Sequence, residues 1–166
     1  MSRARVALAA CVAVVAIVVA AVPASAATSV TASQTVKFTN QAAIQLSLSN
    51  TSYDFGVVDP LAVNTSAPNA TVATVFSNAA WHLSVKGTGT FSDGNGKTIP
   101  DSRMTVTGSL PAVTLSATNQ NVATGAGATP QTGTATNLQY ALQLQWGDPV
   151  STSPFSDTLT YTAATP

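Results

Sequence analysis

What most constrains this chain is a two-residue hydrophobic alternation that recurs along it, with no sustained 3.6-residue apolar period. Ile44, Leu46 and Leu48 alternate with Gln45, Ser47 and Ser49. Trp81, Leu83 and Val85 alternate with His82, Ser84 and Lys86. The same holds for Met104 and Val106 against Thr105 and Thr107, and for Tyr140, Leu142, Leu144 and Trp146 against Ala141, Gln143 and Gln145. Leu159 and Tyr161 alternate with Thr158, Thr160 and Thr162. Successive side chains of a strand point to opposite faces. Each segment therefore has one apolar face and one polar face, and most of the polar faces are uncharged. Antiparallel strands that pack one face on a core look like this.

Composition points the same way. There is no Glu, and Lys and Arg together number six in 166 residues, so the usual fillers of helix surfaces are scarce. Thr and Val are abundant, and branching at Cβ suits a pleated surface. Further strands are expected at Val36–Thr39, Asp54–Val58, Thr71–Phe76 and Ala112–Ser116. Turn signals separate them: Asp59-Pro60, Asp93-Gly94-Asn95-Gly96, Pro100-Asp101 and Gly147-Asp148-Pro149. Residues 119–137 hold Gly, Ala, Thr, Gln and Asn, with Val122 the only large apolar residue. They read as a long flexible loop, or a loop with one short edge strand. The expected fold is all-β, a single antiparallel β-sandwich of about eight or nine strands, with a barrel as runner-up.

Residues 1–26 read as a cleaved signal peptide. Arg3 and Arg5 precede an apolar run from Val6 to Val22, Pro23 breaks it, and Ala24-Ser25-Ala26 is a small-x-small cleavage site. Leu8-Ala9-Ala10-Cys11 matches a lipobox, but too little apolar chain precedes Cys11 to serve as its hydrophobic region. Residues 27–35 are expected as a linker and residues 36–166 as the sandwich domain. No covalent sorting signal is expected at the C-terminus, so any retention at the cell surface is expected to be non-covalent. Once residues 1–26 are gone, Lys37, Lys86, Lys97 and Arg103 face six Asp, a net charge of −2. That excludes the basic stripe a nucleic-acid binder needs. With Cys11 gone as well, neither a disulfide nor a thiolate metal site remains.

Catalytic candidates are sparse. His82 is the only His and falls on the polar face of its strand, with no second His or Cys to share a metal. A glycosidase needs two carboxylates flanking a sugar, yet Asp59, Asp93 and Asp148 sit at turns, where Asp bonds its own backbone. Asp93, Asn95 and Asp101 offer hard oxygen ligands for Ca²⁺, but Lys97 intrudes and the full loop pattern is missing. No enzyme activity, cofactor or metal is expected.

Two segments carry a family resemblance. One is Trp81-His82-Leu83 within Ser77–Val85, and the other is Leu159-Thr160-Tyr161 within Phe155–Ala163. With Leu46-Ser47-Leu48 and Tyr53-Asp54-Phe55-Gly56 upstream, they resemble the WxL domain of Gram-positive surface proteins. Tyr161 stands where that family has Trp, and Ala163 where it has Leu. The resemblance implies a secreted, all-β, cell-wall-associated protein that binds peptidoglycan or another wall polymer non-covalently. It makes Trp81, His82, Leu83, Leu159, Thr160 and Tyr161 the candidate wall-binding motif. Trp81 shares an apolar face with Leu83 and Val85, which is also what a core residue does, while His82 and Ser84 are expected on the solvent side. The competing expectation is a structural or adhesive surface subunit that contacts other surface proteins through strand edges. Neither nucleic acid nor, after cleavage, membrane is an expected partner.

Overall fold

The computed structural model describes residues 31–166, so the expected signal peptide, residues 1–26, lies outside the described residues. The described chain belongs to two units, one ending at Phe38 and the other running from Thr39 to Pro166. Residues 31–38 carry no strand and are exposed.

The strands among the described residues lie in the second unit. They are β1 (Ile44–Leu48), β2 (Asn64–Thr65), β3 (Thr71–Ser77), β4 (Trp81–Lys86), β5 (Thr90–Ser92), β6 (Thr98–Pro100), β7 (Met104–Thr107), β8 (Val113–Thr114), β9 (Gln120–Gly125), β10 (Thr134–Leu142) and β11 (Thr160–Ala164). A single 3-10 turn, Asp101–Arg103, joins β6 to β7. The fold is all-β and antiparallel. A six-stranded sheet runs β1-β3-β10-β7-β8, with β2 also paired to β10. A three-stranded sheet runs β11-β4-β9, and β5 and β6 form a hairpin around the Asp93–Gly96 turn.

The two larger sheets face one core. Val75, Val106, Leu138 and Tyr140 come from the first, and Trp81, Leu83, Val85, Val122 and Ala123 from the second. Fully burying a Val, Leu or Ile side chain contributes about 1.5–3 kcal/mol, so this layer accounts for the sandwich. The sheets approach at two corners, where β1 lies near β11 and β8 near β9 without ladder pairing, so the sandwich stays open.

Several expected elements differ. The strands number eleven among the described residues because β2, β5, β6 and β8 are two- or three-residue pieces. Val36–Thr39 forms no strand among the described residues. Asp54–Val58 forms none either: Gly56 takes φ 65°, and the Asp54 carboxylate folds back onto the Gly56 N–H at 2.8 Å. Of Ala112–Ser116 only Val113 and Thr114 pair. The alternation from Tyr140 ends at Leu142, because a turn closes from Gln145 to Asp148 and leaves Trp146 85 % exposed.

Residues 119–137 supply β9, which lies at the edge of its sheet as the alternative expectation of one short edge strand had it, and also the first residues of β10, which neither form of the expectation included. The β4–β9 ladder shifts register between Leu83 and Ser84, so Val122 is an extra residue and both Val122 and Ala123 turn inward. A bulge of this kind breaks the period-2 pattern that would otherwise reveal a strand. Small residues are also required here. Trp81 pairs with Gly125, and a Cβ on Gly125 would overlap the indole Nε1 and Cε2.

Candidate binding site

The two halves of the motif lie on neighbouring strands. Trp81, His82 and Leu83 open β4, and Thr160 and Tyr161 open β11, with Leu159 just before it. In the β4–β11 ladder, Tyr161 pairs with Val85, Ala163 with Leu83 and Ala164 with His82. The residues are not equally accessible. Trp81 and Leu83 are core, 3 % and 0 % exposed. Thr160 is exposed, and His82, Leu159 and Tyr161 are half-buried. Ser84, expected on the solvent side, is buried, and its hydroxyl donates to the Thr162 carbonyl at 3.3 Å. Trp81 and Leu83 thus cannot meet a ligand from outside, whereas Tyr161 can.

Tyr161 opens onto a groove of ≈ 870 Å³. All three tyrosines of the chain and three of its five phenylalanines line it: Tyr53, Tyr140, Tyr161, Phe55, Phe91 and Phe155. The volume falls within the range typical of ligand sites. Tyr53 stands edge-on to Phe55, with ring centroids 5.0 Å apart, and tilts against Tyr140 at 5.6 Å. The hydroxyls of Tyr140 and Tyr161 are 3.0 Å apart. Burial, and then the neighbouring Tyr140, push the Tyr161 phenol well above its ordinary range, so it stays a neutral hydroxyl. Ladder strands β10 and β11 hold Tyr140 and Tyr161. The other two walls are the strandless stretches around Tyr53–Phe55 and Phe155.

Asp54, Asp148 and Asp157 line the groove, and most of the chain's carboxylates are bonded within the fold. The Arg103 guanidinium grips Asp148 through Nε and Nη2 at 2.8–3.1 Å, and Asp148 also caps the Gln145 N–H. That hydrogen-bonded pairing holds the Asp148 carboxyl below its usual range. Asp93 accepts from Ser151 Oγ and from the Asn95 and Lys97 N–H groups, which lower it as well. Asp59 caps the Leu61 N–H.

Asp101 is different. It is 2 % exposed, its Oδ2 accepts from the Gly89 N–H at 2.7 Å, and its Oδ1 has no partner. Burial pushes its carboxyl up, and the facing Asp157 pushes it further. Asp157 binds the Thr88 N–H and hydroxyl and the Thr158 N–H. Both carboxyls press on Gly87, where any Cβ would overlap them. Two carboxyls this close leave no room for a sugar between them, which a glycosidase pair requires. Asp101 turns toward Gly87 and Gly89 while Asp93 turns toward Ser151, so the two do not converge on one ion; no group of three metal-ligating side chains occurs among the described residues.

Sequence reasoning reached Tyr161 and quoted Tyr53 and Phe55 only as part of a motif. It missed Tyr140, Phe91 and Phe155 as site residues, since they come together only through the ladders and the Ser92–Ser156 bridge. The clustering of all three tyrosines has no one-dimensional signature. No family model, curated protein or solved structure matches this chain.

Proposed function

We propose that this chain is an exported, non-catalytic module that holds the bacterial cell wall non-covalently, seating peptidoglycan or another wall polymer in the aromatic groove. The observation that carries the reading is the gathering of all three tyrosines, Tyr161 of the C-terminal motif among them, along one groove. Aromatic faces stack on the apolar faces of sugar rings, while phenol hydroxyls serve the sugar hydroxyls. The Tyr140–Tyr161 hydroxyl pair offers one free donor between them. Trp81 and Leu83 belong to the core and not to the contact surface, and Val85 is the β4 residue opposite Tyr161.

The test is co-sedimentation of the mature chain with purified Gram-positive walls, run beside walls stripped of secondary polymers. Retention on both is expected for peptidoglycan, and retention only on the unstripped walls assigns the polymer. Retention no greater than that of an unrelated β-sandwich would sink the proposal. Tyr53→Ala should weaken retention without unfolding the protein.

A further inference from the structure

The fold treats the two tryptophans of the chain in opposite ways. Trp81 is enclosed in the core, and Trp146 is 85 % exposed. The sequence alternation would carry Trp146 inward with Tyr140, Leu142 and Leu144, and a pinned turn prevents it. The Asp148 N–H donates to the Gln145 carbonyl at 2.9 Å, the Asp148 carboxylate accepts from the Gln145 N–H at 2.7 Å, and Arg103 grips that carboxylate. Arg103–Asp148 is the only ion pair among the described residues, and the turn it fixes is the one that carries Trp146. Leu144, Gln145, Asp148, Pro149 and Val150, on either side of Trp146, line the aromatic groove, so the indole stands at its rim. Trp is on average a highly buried residue. An indole held in water on a pinned backbone is pre-organised for a partner at little entropic cost.

We propose that Trp146 extends the aromatic groove as a further sugar-stacking surface, so that the site takes an uncharged glycan strand longer than the groove itself, and not an anionic wall polymer. This inference rests on the saccharide reading of the groove. The choice of an uncharged strand comes from the lining. Asp54, Asp148 and Asp157 line the groove, and no Lys, Arg or His among the described residues does. The two cations bonded to its wall are committed, Arg103 to Asp148 and Lys97 to the Val150 carbonyl. A phosphate polymer would therefore meet carboxylates with no uncommitted cation to offset them. Thr51, Ser52 and Thr152, all exposed, bring hydroxyls to the groove, and these suit the hydroxyls of a neutral sugar. The indole offers the same sugar an apolar face. Val57 and Val150 are exposed along the groove as well, so a lipid surface is the occupant that the test must separate.

Tryptophan emission reads the contact directly, because indole emission moves to shorter wavelength when water leaves the ring, and the enclosed Trp81 has almost none to lose. The mature chain (residues 27–166) is titrated with the disaccharide and the hexasaccharide of N-acetylglucosamine, with a glycerol phosphate polymer, and with phosphatidylglycerol vesicles. The hexasaccharide is expected to shift the emission to shorter wavelength, and the disaccharide to bind more weakly with a smaller shift. Trp146→Ala should abolish the shift and weaken hexasaccharide binding, read by calorimetry, by about tenfold, the size of one aromatic stacking contact. Its thermal melt should be unaltered, since the residue is exposed. Trp146→Phe should keep most of the affinity. Hexasaccharide binding that leaves the emission unmoved, or that Trp146→Ala leaves unchanged, overturns this inference while the groove reading stands. A shift produced by the phosphate polymer or the vesicles, and not by the hexasaccharide, overturns it in favour of that partner. No hexasaccharide binding at all overturns it too, and wall retention in the sedimentation assay then tells whether the groove reading falls with it.

Discussion

The strand opening with Trp81 and the segment around Tyr53 carry the same kind of message: aromatics and aliphatics alternating with polar residues. Their fates differ. β4 has a hydrogen-bonded neighbour on each side, β11 and β9, and its Trp81 is enclosed. Tyr53-Asp54-Phe55 has no neighbour on either side, and Tyr53 remains 40 % exposed along a groove. Alternation therefore encodes which face is apolar, not whether a partner strand exists. The partner is decided elsewhere, by Gly125 making room beneath Trp81 in one case and by Gly56 turning the chain away in the other.

The largest expected effect breaks the enclosed half of this comparison. Trp81→Ala should cost about 3–5 kcal/mol of stability by urea denaturation, since it empties the centre of the core. Tyr53→Ala on the open half should cost under about 1 kcal/mol while lowering wall retention. Equal stability losses at the two sites would show that the groove rim is as integral as the core. Gly125→Ala ranks next, at about 1–3 kcal/mol, because its methyl would meet the indole and not open space. Gly127→Ala, two residues on and with nothing near its Cβ, is the matched control and should be close to neutral. Tyr161→Phe comes third. Losing the hydroxyl that faces Tyr140 should cost about 1 kcal/mol, with a fall in wall retention larger than that stability loss explains.

These pairs also mark what the sequence could reveal. The all-β class and the segments of β1, β4, β7 and β11 were legible because each turns an apolar alternation toward the core, and β3 was legible through its run of β-branched residues. β9 was legible only as the alternative of one short edge strand, because the bulge at Val122 sets two consecutive residues inward and the rest of the strand is small or polar. The first half of β10 was hidden for a related reason: Thr136 is buried there although its type gives no apolar signal. Val36–Thr39 and Asp54–Val58 were over-read, since their patterning is real but neither forms a ladder among the described residues. At the groove, Tyr161 was reachable through its motif. Tyr140 was legible only as a strand residue, because its meeting with Tyr53 and Tyr161 depends on the turn of the whole chain.

The smallest effect is a slope and not a loss, and it separates two acids that the sequence presents alike. Asp148 is held below its ordinary range by Arg103, so its contribution is present above the unfolded value and is lost as pH falls through the folded one. Asp101 is pushed up by burial and then by Asp157, so its contribution is present below the unfolded value and is lost as pH rises through the folded one. The two acids tilt the stability curve in opposite directions. Asp148→Asn should flatten the acid limb and weaken the protein at neutral pH. Asp101→Asn keeps an acceptor for the Gly89 N–H while removing the charge, so it should flatten the limb above the carboxylate range and leave neutral-pH stability unchanged or higher. Thermal melts of both variants from acid to neutral pH decide the matter. A destabilised Asp101→Asn protein with an unaltered slope would mean that the ionised form of Asp101 is what the Gly87–Gly89 turn requires.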